Sequence, residues 1–538
     1  MYGPQPGGAL NFITKPPATG TRLAVDTEQS FGDDELFSTY TSVSGTLGPL
    51  GYLDYVHERE ANGFREGNSD FEVLGGGTTL QIDAGPGSRL TLTYDEYHEE
   101  HGEPGGLTKA AADSEGRDAT TRFHDRFRLE RYYGTLLYEQ GLGERSQLEV
   151  RTFGGHYLRY SKRQDGNVFG GAPTGTTMSI EEQDFYTFGM EPRVRHTYDA
   201  FGREGHALTV GLLSYFSDSP REDQRGAWLG ADSGTLRHAS ERTMQSLSLF
   251  AEHLFRFGRL SVTPGARLEH IWQHLKEEVN ASKTTVPLAT VHEFDAVPLF
   301  GVGAAYDLAP SVRGYTNCSQ GYRPKIFTQA VPTGGGTIVN DDLEEGKSWL
   351  MDVGVRGRHA EAVSWDVSYF VMRFDDQIGT SGSTVENVGD ALHQGLELAA
   401  EAELVSRVGS ISPFVNLLLL DATFTEGPQD GKPPQFAPQY TLRAGAQYAF
   451  RDRVKVQLAS TFMDDHFADD SNLASRTVPS YKVWDLTGEA TLWPPYLTLL
   501  GGINNLFDER YYARIRADGI DPAPERTLYG GVRVGVRF

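Results

Sequence analysis

The sequence predicts an all-β protein, a transmembrane antiparallel β-barrel of about 22 strands. Three observations carry that expectation. Apolar and polar residues alternate with period two along most of the 538 residues, and no stretch sustains a helical period. Short turns alternate with long polar loops, the asymmetry of an outer-membrane barrel rather than of a soluble sandwich with short turns at both ends. Finally, 62 Gly and 11% aromatic residues accompany a mean hydropathy of -0.42, which is polar on average yet well patterned.

The composition closes other routes. No apolar run approaches the roughly 20 residues of a spanning helix; the best is the short stretch Val415 to Leu420. The 73 acidic against 49 basic residues leave a net charge of -24, which disfavours binding to a nucleic-acid backbone, where clustered cations must replace counterions. Cys318 is the single cysteine, so no disulfide framework and no cysteine-based zinc or iron–sulfur site exists.

The strands can be justified in order along the chain. Leu90, Leu92 and Tyr94 oppose Arg89, Thr91 and Thr93; Val363, Trp365, Val367, Tyr369 and Val371 oppose Ser364, Asp366 and Ser368. Leu442, Ala444, Ala446, Tyr448 and Phe450 oppose Arg443, Gly445 and Gln447. At the end, Leu528, Gly530, Val532, Val534, Val536 and Phe538 oppose Tyr529, Gly531, Arg533, Gly535 and Arg537. In hydrocarbon every backbone N–H and C=O must be paired internally, so such a sheet has to close. Short connections are read at Asp83 to Ser88, Gln140 to Ser146 and Phe257 to Arg259. Long ones are read at Glu103 to His124, Lys162 to Asp184, Asp218 to Arg242, Gln273 to Asp295, Pro324 to Lys347, Asp464 to Ser480 and Asp508 to Glu525.

Particular segments add a resemblance. The opening Tyr2-Gly3-Pro4-Gln5-Pro6-Gly7-Gly8-Ala9-Leu10-Asn11-Phe12-Ile13-Thr14-Lys15 resembles the last block of the plug domain in TonB-dependent outer-membrane receptors. Gly502-Ile503-Asn504-Asn505-Leu506-Phe507-Asp508, with Tyr511-Tyr512 and the segment Arg526 to Phe538, resembles their final two strands. Gly63-Phe64-Arg65 with Asn68-Ser69-Asp70-Phe71, Phe374-Asp375-Asp376-Gln377-Ile378, Asn387-Val388-Gly389, His393-Gln394-Gly395-Leu396-Glu397 and Phe467-Ala468-Asp469-Asp470-Ser471-Asn472 are similar to the ferric-dicitrate branch of the family, as is Val478 to Asp485.

This resemblance implies a barrel over residues 18–538 preceded, at 1–17, by the C-terminal remnant of a plug, with Tyr2, Gly3, Gly7, Gly8 and Asn11 as its motif. The signal peptide, coupling box and remaining plug of the family do not precede Tyr2 here, so the expectation is an N-terminally truncated frame. It also implies a monomer in outer-membrane lipid and lipopolysaccharide. Its transported ligand would be a ferric siderophore chelate resembling ferric dicitrate, with no covalent cofactor and no enzymatic step. Energy would come from the inner-membrane TonB-ExbB-ExbD complex acting through the plug of the full-length protein. The alternatives are a passive porin-like channel or a receptor for haem, cobalamin or another metal chelate.

The chemistry-bearing residues are weighed against plainer roles. The opening glycines lack the Gly-Lys-Ser/Thr and following helix of a phosphate loop. An anionic chelate needs cations, and guanidinium forks suit carboxylates; the loop arginines available are Arg163, Arg221, Arg225, Arg237, Arg242, Arg323, Arg514 and Arg516. Most stand beside Asp or Glu, as Arg221 does with Glu222 and Asp223, so salt bridges are expected to neutralise them. His98-Glu99-Glu100-His101 lacks the zincin spacing and reads as a polar strand end. Asp464, Asp465, His466, Asp469 and Asp470 are weak candidates for a hard cation, against a solvated loop. Tyr132, Tyr133, Trp484, Tyr511 and Tyr512 are expected in the interfacial aromatic girdles.

Overall fold

The computed structural model describes residues 13–114, 116–283, 287–325, 338–339, 343–360, 362–376, 378–381, 384–387, 389–451 and 453–538. The plug motif at Tyr2, Gly3, Gly7, Gly8 and Asn11 lies outside them, as do Gln377 and Val388.

Among the described residues, 22 antiparallel strands follow one another around a closed sheet. Two further segments, Arg221–Gly226 and Leu404–Ser406, pair onto this wall without forming a full turn of it. Closure is made by the first strand, Ala24–Gly32, whose Asp26 lies opposite Ser42 on one side and Gly535 of the last strand, Thr527–Arg537, on the other. The chain end helps to seal this seam: the Phe538 carbonyl accepts from Arg22 N at 3.2 Å and from Thr21 Oγ1 at 2.7 Å. Among the described residues the main sheet leaves no long edge to pair with another chain.

The alternation sorts side chains as the sequence requires. Along the last strand Leu528 is 49% exposed on the outer face, while the opposite face forms a charged ladder across the seam. There Arg533 Nε meets Glu28 at 2.7 Å, its Nη1 meets Glu489 at 3.4 Å, and Arg537 Nη2 meets Asp26 at 2.8 Å. Exposed Leu92, Phe188, Val210, Leu249, Phe300, Val353, Tyr369 and Leu499 continue the apolar face around the wall. Such a face has no partner in the protein, so it meets lipid, and the charged face lines the lumen.

Short turns such as 48–49, 86–87, 201–202 and 258–259 gather at one rim and long loops at the other. The connections expected at Asp83 to Ser88, Gln140 to Ser146 and Phe257 to Arg259 are found there, tightened to 86–87, 143–145 and 258–259. Three long ones, at Lys162 to Asp184, Asp218 to Arg242 and Gln273 to Asp295, need correction, because the strands run further out than hydrophobicity shows. Met178–Ala200 and Thr235–Phe257 are 23 residues each, Leu260–Asn280 is 21, and Thr290–Ala309 is 20. These connections shrink to 165–177, 219–234, which itself carries the strand Arg221–Gly226, and 281–289, while 505–526 is slightly longer than expected. Only about 9–11 tilted residues are needed to cross the hydrocarbon. The remainder forms a polar palisade outside the bilayer, held by ladder hydrogen bonds rather than by apolar burial.

Three long loops dock over this palisade as a cap. Leu107 and Ile520 exchange backbone hydrogen bonds of 2.8 and 2.9 Å, joining loop 103–125 to loop 505–526. Leu107, Ala112, Val478, Tyr512, Ile515 and Ile520 make a small apolar core beneath them. Thr108 Oγ1 caps the one-turn helix Lys109–Ala112 by accepting from Ala111 N at 3.2 Å. Tyr512 is therefore not a girdle residue; it is 5% exposed, with its hydroxyl donating to Asp113. Tyr133 is not one either: its register opposite Gly155 places it on the lumen face, stacked with Phe153. Tyr132 does face outward, between His98 and His156.

Candidate functional site: arginines of the vestibule

The expected arginines divide into two groups. In the cap, Arg163 grips Glu103 with Nε and Nη2 at 3.0 and 3.1 Å. Arg516 reaches the same carboxylate at 3.6 Å and Asp521 at 2.9 Å, and Arg514 meets Asp521 at 2.7 Å. Both lie on the hairpin formed by Tyr512–Arg516 and Gly519–Pro522. Burial lowers the Arg516 guanidinium, but Asp521 and Asp518 outweigh it and raise it overall. Arg122, which sequence reasoning missed, pairs with buried Asp125 at 2.7 Å and with Asp518 at 3.4 Å. Burial, more than any neighbour, pushes the Asp125 carboxyl up. A cavity of about 460 Å³ here is faced by Arg122, Arg163 and Arg516, against Glu103, Asp125, Asp165 and Asp518. With carboxylates in excess, it offers an anion no net attraction.

Two more cap arginines are structural. Arg65 donates to the carbonyls of Ala119 and Gly105, and Arg117, 2% exposed, clamps Asp508 at 2.9 Å and Glu525 at 3.1 Å.

The second group stands on the inner wall. The strand register sets Glu181 opposite Asp223, and Asp223 opposite His238. One pair over, Gln183 faces Arg221, Arg221 faces Ser240, and Ser240 faces Glu277. Residues opposite one another share a face, so these converge inside the vestibule. Glu181 is bound by Arg159 at 2.8 Å and by Arg221 at 2.9 Å, while Arg221 Nε also meets Asp223 at 2.9 Å. Asp223, rather than the sequence neighbour Glu222, takes Arg221 because alternate residues share a strand face.

Arg242, two residues beyond Ser240, is 2% exposed. Its Nε donates to Ser240 Oγ at 3.0 Å, and its Nη2 has no hydrogen-bond partner among the described residues. Glu277 is already engaged by Lys283, by Asn280 Nδ2 at 2.8 Å and by Ala289 N at 2.8 Å. Arg159 and Arg221 thus take up the two carboxylates Glu181 and Asp223, and Arg242 has neither within ion-pair distance among the described residues. One positive charge is left over, and it belongs to Arg242.

The other expected residues do not join this site. Arg225 pairs with Asp165 at 3.2 Å, Arg237 is exposed, and Arg323 ends the strand Val312–Arg323. Arg221, Arg225, Arg237 and Arg242, expected on a loop, all lie on strands. Among the described residues no group of three His, Cys, Asp or Glu is placed to hold a metal. In the acidic loop, Asp470 Oδ1 accepts from Gln435 N, Asp469 Oδ1 accepts from Ser471 N, and His466 Nδ1 lies 3.1 Å from the Asp464 carbonyl. Alternation sends His98 toward Tyr132 and His101 toward Phe127, on opposite faces. Arg159, Glu181, His238 and Glu277 were missed because they are scattered over 119 positions; only the alternation Arg221/Asp223 and His238/Ser240/Arg242 hinted at shared faces.

A closed barrel with an apolar outer face, long loops at one rim and a charged vestibule defines an outer-membrane protein. Residues 26–506 match the family model for the TonB dependent receptor-like β-barrel, and the chain belongs to that family, whose members are receptors and transporters rather than enzymes. Similar solved structures include the ferric citrate transporter FecA in its unliganded form, at 21% identity and a TM-score of 0.86, covering 99% of this chain and 82% of that one. The ferric yersiniabactin uptake receptor FyuA from Yersinia pestis is similar at 16% identity and a TM-score of 0.83, over 99% and 84%. The copper transporter OprC gives 15% and 0.79, over 98% and 82%.

Proposed function

We propose that this protein is a receptor for a ferric siderophore chelate of net negative charge, of the ferric dicitrate kind, and that the inner wall around Arg221 and Arg242 receives it. The observation that carries this is the uncompensated guanidinium of Arg242 behind the more accessible Arg159 and Arg221. A buried cation without a carboxylate is costly, and an anionic oxygen arriving at Arg221 would offset that cost. The likeness to the ferric citrate transporter supports the same reading. Transport would be binding followed by movement of a plug, to which residues 1–17 belong, driven by the TonB-ExbB-ExbD complex. The barrel would act as a monomer in lipid and lipopolysaccharide, without a covalent cofactor.

The test is ferric citrate binding to the purified receptor, followed by tryptophan fluorescence quenching. A lost charge-assisted contact is worth about 1.5–3 kcal/mol, so Arg221→Ala should weaken binding by about tenfold or more. Arg514→Ala, in the cap, should leave it unchanged. Equal affinity of wild type and Arg221→Ala overturns the assignment.

A further inference from the structure

His238 stands at the centre of the wall cluster, and no role described so far uses it. It is 4% exposed. Its Nδ1 lies 3.5 Å from Asp223 Oδ2 and its Nε2 lies 3.6 Å from Glu277 Oε1. Both distances are too long for good hydrogen bonds, and neither ring nitrogen has a hydrogen-bond partner among the described residues. The imidazole is therefore held between two carboxylates without being bonded to either.

The two carboxylates differ in freedom. Glu277 is committed to Lys283, Asn280 and the Ala289 N–H. Asp223 has one other charged partner, Arg221, on its Oδ1 at 2.9 Å. Asp223 is thus a carboxylate shared between a guanidinium and an imidazole.

Resting on the anion-site reading above, we propose that His238 sets how much positive charge the wall offers to an anionic ligand, by competing with Arg221 for Asp223. While the ring is neutral, Asp223 stays on Arg221 and cancels much of its charge. Once protonated, the ring donates to Asp223 and Glu277 together. Arg221 then keeps Glu181 on its Nη2 at 2.9 Å but gives up its share of Asp223, and the cluster carries one more positive charge.

The groups facing His238 decide where this happens. Arg242 lies on its own strand, Arg221 and Asp223 on the segment Arg221–Gly226, Glu181 on the strand beyond, and Glu277 on the strand opposite with Lys283 in the following loop. The outward residues of this strand turn polar after Leu247, at Gln245, Thr243 and Glu241, so His238 lies well outside the bilayer. Burial, chiefly, lowers the imidazole below 6.5; Arg242 and Arg221 add to this, while Asp223 and Glu277 oppose it. The ring is consequently neutral at pH 7 and takes up its proton only below the ordinary imidazole range. Proton and anion then favour each other's binding by the same factor.

The experiment has two arms. In the first, ferric citrate affinity is measured from pH 7.5 to 5.5 for wild type and His238→Gln. Their ratio at each pH cancels the ligand's own protonation. It should rise about fivefold in favour of wild type as pH falls, and a flat ratio overturns the proposal. The second arm needs no ligand: the His238 ring is titrated by NMR in wild type, Asp223→Asn and Arg221→Met. The midpoint should fall in Asp223→Asn and rise in Arg221→Met. A midpoint that ignores both changes overturns the competition. Absent ferric citrate binding in wild type would count against the ligand reading, and the second arm would still decide the role of His238.

Discussion

The cap and the inner wall both set arginines among carboxylates a short distance apart, yet they use them oppositely. In the cap, Arg117 has two carboxylates, Arg516 has three within reach, and Arg65 is taken up by backbone carbonyls. Each guanidinium ties together segments distant in sequence, such as 117 with 508 and 525. On the wall, Arg242 is as deeply buried as Arg117 but touches no carboxylate oxygen within ion-pair distance among the described residues. The number of anionic partners separates an arginine that holds loops from one that can hold a ligand.

The comparison can be broken most forcefully at the cap core. Ile520 is 2% exposed beneath the loops, and placing a carboxylate there through Ile520→Asp should cost more than about 3 kcal/mol of cap stability. Proteolysis of loops 103–125 and 505–526 should accelerate sharply while the barrel keeps its heat-modifiable migration. Arg117→Ala comes next. Removing one member of a buried pair costs about 3–5 kcal/mol, but Asp508 and Glu525 are half exposed and stay solvated, so about 2 kcal/mol is expected. Hydrogen exchange in loop 103–125 reports it.

Arg242→Met should act in the opposite direction. It removes an unpaired buried donor, a group worth about 1–3 kcal/mol when left unsatisfied, so thermal stability should hold or rise by about 1 kcal/mol while ferric citrate affinity falls. A destabilised Arg242→Met protein would place Arg242 with the cap arginines and erase the distinction.

Smaller still is the acid response of the cap. The Arg526 N–H bond, first, and Arg117 hold the Asp508 carboxyl below its usual 3.8. A lowered folded-state value stabilises above about pH 4 and is lost as pH falls through it, so exchange in the cap should quicken below pH 4. Finally, Arg514 is 58% exposed in its pair with Asp521, and Arg514→Ala should change cap stability by less than about 1 kcal/mol.

The barrel was legible because its cause is repetitive. Ribbons such as Val363 to Val371 and Leu528 to Phe538 repeat a two-residue pattern imposed by lipid on one side and water on the other. Strand ends were not legible, since Thr235 to Gln245 has only Leu236, Ala239 and Met244 as apolar residues, without a period-two ribbon, and reads as loop when hydrophobicity is the only guide. The same blindness placed Arg221 and Arg242 on a loop and hid the alternation that makes them neighbours.

The candidate site was half visible. Arg221 and Arg242 were among eight arginines chosen for charge alone, and local sequence offered no means of telling them from Arg163 or Arg516. The expectation that salt bridges neutralise most of the eight holds for Arg163, Arg221, Arg225, Arg514 and Arg516. Which carboxylate does so depended on register: Glu103 reaches Arg163 across 60 positions, a separation with no local signal.

The sequence by itself determined that the chain closes into a barrel, which side of each ribbon meets lipid, and which residue types could meet an anion. These follow from local alternation and composition. Only the tertiary structure decided which charges cancel, because the count of carboxylates around a guanidinium is set by strands and loops that meet across the closed sheet. That count leaves Arg242 uncompensated, and it suspends His238 between Asp223 and Glu277.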